Sequence, residues 1–335
     1  MKYCHSRQLR PKTMLSYEQT LKLFFAWIEE REGITQVEAI RDKHIRNYII
    51  ELQDRGKYTF CAVDGSMNNP QGRRDYQRQV SNGTINNYLR NLRAYFAWLT
   101  EEEILKSTPM KRIKPLPKER KPREYMENDE VKHLLHSLDK SYFPEYRDYI
   151  AIMLMLDSGT RLGETLSIEI EQVNLIEKCV FLPANKTKGR KARTVYFSSK
   201  TAAEVRRWLE FKDRYCDSDY VFPVKNSGGE LHTSDFERNF RKYLKRIGVK
   251  KHITPHTLRN NFAKRCLLAG MDIYTLSRIL GHTSVEVTEK AYLDKLISGQ
   301  VIYCGGTHNQ KLWQTTFVSS HFLYILYQKI RFFSN

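Results

Sequence analysis

The sequence predicts a mainly α protein: an all-α N-terminal domain, then an α+β domain that is mostly helical with a small antiparallel sheet. Three observations carry that reading. Apolar residues recur at helical spacing through most of the 335 residues. Only two β runs interrupt them, 178–183 and 193–197. A stretch with Pro109, Pro115, Pro117 and Pro122 among eight basic residues, 106–123, divides the chain and is expected to be extended and cationic. The expected domains are 8–108 and 125–298, joined by a linker over 109–124 and followed by a tail over 299–335.

In the first domain, Tyr17, Leu21, Phe24, Phe25 and Ile28 define a helix over 16–30 that Gly33 closes. A shorter helix over 42–54 turns Ile45, Ile49 and Leu52 inward. The polar segment 56–83, with Asp64-Gly65, Asn69-Pro70 and Gly72-Arg73-Arg74, reads as a long exposed loop that orders on a partner. From Thr84 onward Ile85, Leu89, Leu92, Phe96 and Leu99 form one stripe, with Arg90 and Arg93 off it.

The second domain opens with Asn128 or Asp129 capping a helix that runs to Leu138. Residues 149–157 are apolar on all sides, as a helix central to a large core would be. Ser158-Gly159-Thr160-Arg161-Leu162-Gly163-Glu164 ends that helix. The lysine- and arginine-rich segment 184–192 joins the β runs as a basic hairpin, and helices follow over 201–213 and 234–247. Thr254 then caps a helix with Pro255 at its first position, which sets His256 in the first turn and Arg259 on the same face. A helix start presenting His and Arg suits an anion such as phosphate. A helix over 272–280 ends at Gly281 as a left-handed residue, which places His282 in a tight turn. Thr283 and Glu286 form a capping box for a last helix carrying Tyr292. In the tail, Gly305-Gly306 and an aromatic-rich run are open to two readings, a packing element or a terminus without a role.

Lysine and arginine number 56 against 38 acids, a formal charge of +18. The excess is spread along the chain and points to a polyanion, nucleic acid first. Cys4, Cys61, Cys179, Cys216, Cys266 and Cys304 lie far apart without CxxC or Cys/His spacing, as expected of reduced thiols and no zinc site. No apolar stretch reaches membrane-spanning length and none resembles a signal peptide, so a cytoplasmic protein is expected.

No Walker loop, GxSxG elbow or paired metal ligands occur. Two arginines, two histidines, a lysine-rich hairpin and a late tyrosine remain. Arginine forks match phosphate oxygens, and two of them neutralise charge on a phosphodiester under attack. A tyrosine, with a free pKa near ~10, needs such charge nearby to act as a nucleophile. A hairpin lysine is able to protonate a leaving alkoxide. Taken singly, each residue has a plainer use. Arg161 can hold Glu164 in a turn, His256 can start a helix, His282 can pack in a loop, and Tyr292 is one of twenty tyrosines.

Together GTRLGE (159–164), TKGRKAR (187–193), HTLRNNFA (256–263), LGHTS (280–284) and the late AY (291–292) resemble the tyrosine recombinases of the phage integrase family. The order and distances of the five boxes are compatible with that family, and the resemblance spans roughly residues 10–297. It implies a SAM-like, core-binding N-terminal domain and a catalytic domain that together clamp double-stranded DNA. Arg161 and Arg259 would bind the scissile phosphate, with His256 and His282 completing that shell and assisting proton transfer. Lys188 would be the general acid, Tyr292 the nucleophile forming a 3′-phosphotyrosyl bond, and Glu164 an orienting support. Lys186, Arg190, Lys191, Arg90 and Arg93 would contact DNA. No metal or other cofactor is implied. A homo-tetramer on DNA, with or without an accessory DNA-bending protein, would exchange strands.

The expected function is that of a site-specific recombinase, the integrase of a mobile element or plasmid. The alternatives are a Xer-like dimer resolvase and a catalytically silent architectural DNA-binding protein. Asn260 stands where many relatives have histidine, a departure expected to matter little because it follows the catalytic position.

Overall fold

A computed structural model describes residues 2–60, 75–118, 124–187 and 189–296. Lys188, the centre of the 56–83 segment and the 299–335 tail therefore lie outside the described residues. The chain divides into two units, Met1–Lys121 and Pro122–Asn335.

In the first unit a short helix α1 (Lys2–Ser6) precedes α2 (Pro11–Glu32), α3 (Asp42–Asp54) and α4 (Asn82–Glu101). Helix α2 starts earlier than its apolar stripe because Pro11 supplies a ready-made first turn. It stops at Gly33, whose φ of 65° lets its amide turn back onto Glu29 and Ile28. Phe24 and Trp27 of α2 meet Tyr48 of α3 and, at Phe24, Phe96 of α4, so the aromatic positions of the stripes make one core. The buried face of α3 falls on Ile45, Tyr48 and Leu52, with Ile49 half-buried against the same core. Asn91 ties α4 to α2, its buried Nδ2 donating to Ser16 and Thr20.

Two expectations for this unit change. The 56–83 segment is zipped at its base, with the Lys57 amide donating to Arg78 and the Gln77 amide donating to Lys57. Gly56 permits this, since a Cβ there would lie 2.5 Å from the Gln77 backbone. The proline-rich stretch is not free along its whole length either. Met110 and Ile113 are buried in the helical core, Asn86 on α4 exchanges two hydrogen bonds with the Leu116 backbone, and Arg93 donates to the Ile113 carbonyl. Two apolar residues three apart anchor a segment whose composition reads as a solvated linker.

In the second unit, α5 (Asn128–His136) leads to α6 (Phe143–Ser158), then a short α7 (Leu162–Leu166). A three-stranded antiparallel sheet in the order β1 (Val173–Asn174), β2 (Cys179–Leu182), β3 (Arg193–Tyr196) follows. The register pairs Val180 with Val195 and Leu182 with Arg193. The expected hairpin is β2–β3, and β1 is too short to have shown as a β run. Helices α8 (Ser199–Asp213), α9 (Thr233–Arg246), α10 (Pro255–Leu268), α11 (Ile273–Leu280) and α12 (Val285–Leu296) complete the unit.

Helix α6 is buried along nearly its whole length and packs against α8 and α10. Its most enclosed acid, Asp148, is met by Arg147, Asn239 and Tyr243, so the charge does not stand alone inside the core. Helix α5 is entered from Glu127, whose amide donates to the Glu130 carboxylate, one residue before the expected cap. Helix α12 starts at Val285, so Ser284 rather than Thr283 precedes it. No helix among the described residues is long and apolar enough to cross a membrane.

Helix α6 ends at Gly159, and this glycine fixes the geometry of everything that follows. Its φ is +68°, and a Cβ would sit 2.3 Å from the Phe262 ring on α10. Gly159→Ala is therefore expected to cost roughly 2–4 kcal/mol, from the left-handed backbone and the overlap together. A urea denaturation midpoint measured on both proteins checks this.

Candidate active site

The site is organised by the C-terminal end of α11. A helix leaves its last carbonyls without helical partners, and those oxygens carry the negative end of the helix dipole. Here three consecutive ones are taken by three arginines from three different elements. Arg193 Nε on β3 donates to the Ile279 carbonyl at 3.1 Å. Arg259 Nη2 on α10 donates to the Leu280 carbonyl at 2.6 Å. Arg161, at the start of α7, donates through Nη2 to the Gly281 carbonyl at 3.2 Å. Gly281 makes the turn possible with φ of +61°, and a Cβ there would press on the Arg193 guanidinium at 3.0 Å.

Glu164 fixes the pose of two of these arginines. Its carboxylate accepts from Arg161 Nη1 at 2.8 Å and from Arg193 Nη2 at 2.6 Å, and it also takes the Arg161 backbone amide. Burial alone would raise its pKa. The hydrogen bonds and charge of Arg193, then the amide and charge of Arg161, outweigh that and hold the carboxyl at about 2.

Arg259 is the most enclosed of the three, 1 % exposed, and its Nη1 donates to the Gly159 carbonyl at 2.7 Å. Its Nε is buried without a hydrogen-bond partner. Burial, then the neighbouring charge of Arg161, pulls its pKa down to about 9, so the guanidinium is still charged at neutral pH but held at a cost. One carboxylate against three guanidiniums leaves the cluster positive and suited to an anion with several oxygens.

His282 stands beside this cluster. Its Nε2 is 3.1 Å from Arg259 Nη2, and its Nδ1 is 2.7 Å from the hydroxyl of buried Thr288 on α12. A guanidinium only donates, so Nε2 accepts, and in the neutral ring Nδ1–H donates to Thr288. Tyr292, one turn further along α12, is buried, and its hydroxyl donates to Asn260 Oδ1 at 3.1 Å. Asn260 is the neighbour of Arg259 on α10. His256 lies exposed in the first turn of the same helix. An open groove of about 640 Å³ runs past the cluster, lined by Gly189, Lys191, Arg193, Arg278 and His282 among others.

Of the residues singled out from the sequence, Arg161, Glu164, Arg259 and His282 are thus brought together directly, and Tyr292 joins them through Asn260. Lys188 lies outside the described residues. Arg90, Arg190 and Lys191 are exposed. Lys186 is paired with Glu169 at 2.8 Å and donates to the Ser167 carbonyl, while Arg93 is held by Ile113. The sequence reading missed Arg193, Thr288 and Asn260. Arg193 had a signal: it shares the inward parity of Val195 and Phe197 along one strand, where a solvated hairpin residue would not be expected.

Comparison with known proteins agrees with this architecture. Residues 124–297 match the phage integrase family and residues 2–61 its N-terminal SAM-like domain. A tyrosine recombinase of Thermosipho africanus is 25 % identical over 284 residues, covering 85 % of this chain and 89 % of its own. Tyrosine recombinase XerC of Leptospira interrogans is 28 % identical over 282 residues, covering 83 % and 81 %. Among solved structures, the Tn1549 transposon integrase in complex with a circular intermediate DNA superposes with a TM-score of 0.67 at 17 % identity, covering 87 % of this chain and 92 % of that one. The XerH site-specific recombinase bound to a palindromic difH substrate gives a TM-score of 0.64 at 17 % identity, covering 89 % and 82 %. The helical scaffold and its sequence are those of a tyrosine recombinase, and the chain belongs to the phage integrase family.

Proposed function

We propose that this recombinase cuts and rejoins double-stranded DNA at a specific site through a 3′-phosphotyrosyl intermediate, as the integrase of a mobile element or plasmid. The observation that carries the chemistry is the row of three carbonyls at the end of α11 holding three guanidiniums, two of them paired with a single carboxylate. Such a cluster has a net charge that a phosphodiester neutralises, most strongly as charge builds on its oxygens during attack. Arg161 and Arg259 bind the non-bridging oxygens, and Arg193 and Glu164 keep their forks aimed.

The Tyr292 oxygen bonds to phosphorus and the bond from phosphorus to the 5′ oxygen breaks. The phenol proton passes to a histidine, His282 or His256, and the 5′ oxygen takes its proton from Lys188. A partner strand's 5′ hydroxyl reverses the step. No cofactor takes part in this scheme. The positive groove, with Lys191 and Arg190 exposed beside it, and Arg90 in the first unit approach the DNA backbone. Domains over 8–108 and 125–298 both contribute to binding, and a homo-tetramer, with or without a bending protein, exchanges the strands. The site of action is the cytoplasm, on the nucleoid.

A second reading, dimer resolution, is favoured by the curated relatives named XerC. Strand exchange on paired plasmid sites separates the two: recombination that yields only resolved circles supports the resolvase, whereas joining of separate molecules supports the integrase. A nicked duplex built from the DNA flanking the gene tests the common chemistry. A covalent protein–DNA adduct is expected, together with an affinity that falls steeply with salt. Sequence-specific binding that never yields an adduct would leave only an architectural role.

A further inference from the structure

The hydrogen bond between Tyr292 and Asn260 bears on how the tyrosine is held before it reacts. Tyr292 is 4 % exposed and packs in a cluster with Phe262, Cys266, Leu276 and Leu280. Its hydroxyl donates to the Asn260 side-chain oxygen across 32 residues of sequence, and Asn260 is itself buried, directly after Arg259. An amide oxygen accepts a hydrogen bond but cannot take the proton. A hydrogen bond given by the phenol stabilises its neutral form, whereas a nucleophilic phenol must hand its proton to a base. In the proposed reaction that base is a histidine, and in this pose the accepting nitrogen of His282 is taken by Arg259. The Asn260 bond has to be exchanged before the tyrosine reacts.

We propose that Asn260 is a positioning residue that latches Tyr292 in a docked, protonated resting pose beside the arginine cluster, released when DNA occupies the site. This rests on the reading of Tyr292 as the nucleophile. The latch has a consequence in the DNA-free protein, which keeps its test separate from that reading. Nitration with tetranitromethane at neutral pH, followed by trypsin, reports on Tyr292 alone through the peptide 291–295, which contains no other tyrosine.

The expected result is slow nitration in the wild type and a rate about 3–10-fold higher in Asn260→Ala, the size of one net hydrogen bond. Buried Tyr48 and Tyr243 should be unchanged. Asn260→Asp, which keeps the shape and offers a charged acceptor, should react more slowly than wild type. It also serves if the alanine variant does not fold. On a nicked duplex, Asn260→Ala should form the adduct faster by a similar factor at unchanged DNA affinity.

Equal nitration rates in all three proteins would overturn the latch. So would slower adduct formation in Asn260→Ala, which would place Asn260 in the reacting pose instead. Absence of any adduct in the wild type, with the nitration pattern as expected, would overturn the reading of Tyr292 and leave the latch standing.

Discussion

Arg259→Ala should lower the single-turnover rate of adduct formation by about 10³ or more. Three features concentrate the effect in this residue. Its guanidinium is almost fully enclosed, it is fixed at both ends by the carbonyls of Gly159 and Leu280, and it touches His282. Burial and Arg161 hold its pKa down at about 9, so folding carries the cost of an enclosed cation. A phosphodiester under attack relieves that cost, and the relief grows as negative charge accumulates on the phosphate oxygens. The loss should therefore fall on the rate far more than on DNA affinity, which many other basic residues share. Arg259→Lys should recover little, because a single ammonium cannot reach two carbonyls and a phosphate in one plane. Quench-flow cleavage together with gel-shift affinity on the same duplex checks both statements.

Glu164→Gln should have the largest effect on stability, roughly 3–5 kcal/mol. Removing the carboxylate leaves Arg161 and Arg193 facing each other and Arg259 with no anion among them. The same residue sets a pH dependence whose sign follows from its depressed pKa. Folded, Glu164 titrates near 2 against an ordinary value of 4.5. Its contribution is therefore complete above pH 4.5 and is lost as pH falls toward about 2, an amount on the order of 3 kcal/mol. Other paired acids, such as Glu145 held down by Arg246, titrate in the same range, so the comparison must be differential. Urea midpoints of wild type and Glu164→Gln should lie far apart near neutral pH and converge between pH 4.5 and 2. Parallel curves would show that Glu164 does not carry the charge balance of the site.

Much of this was legible in the chain. Helical stripes located α2, α3 and α4, the proline-capped Thr254 start located α10, and the glycine stops at Gly33, Gly159 and Gly281 were readable from side-chain type alone. The ordered boxes assembled Arg161, Glu164, Arg259 and His282. What escaped were relations that depend on distance across the fold. Arg93 and Lys186 look like free surface cations but are spent on the Ile113 carbonyl and on Glu169. Arg193 looks like the end of a basic hairpin but is the third member of the cluster. Asn260 looked inconsequential beside a catalytic position. It proves to be the partner of the Tyr292 hydroxyl because α10 buries two adjacent faces, one toward the arginines and one toward α12. The backbone carbonyls of α11 carry no side-chain signature at all, so the feature that gathers the arginines was invisible in the sequence.

Tyr292, the proposed nucleophile, should become covalently joined to DNA at this cluster. Trypsin cuts after Lys290 and Lys295 and releases the five-residue peptide Ala-Tyr-Leu-Asp-Lys. Mass spectrometry of protein trapped on a nicked duplex, digested with trypsin and nuclease, should find that peptide carrying a 3′ nucleotide on its tyrosine. The modified peptide should be absent from Tyr292→Phe. A nucleotide found on any other residue, or an adduct that persists in Tyr292→Phe, would contradict the account.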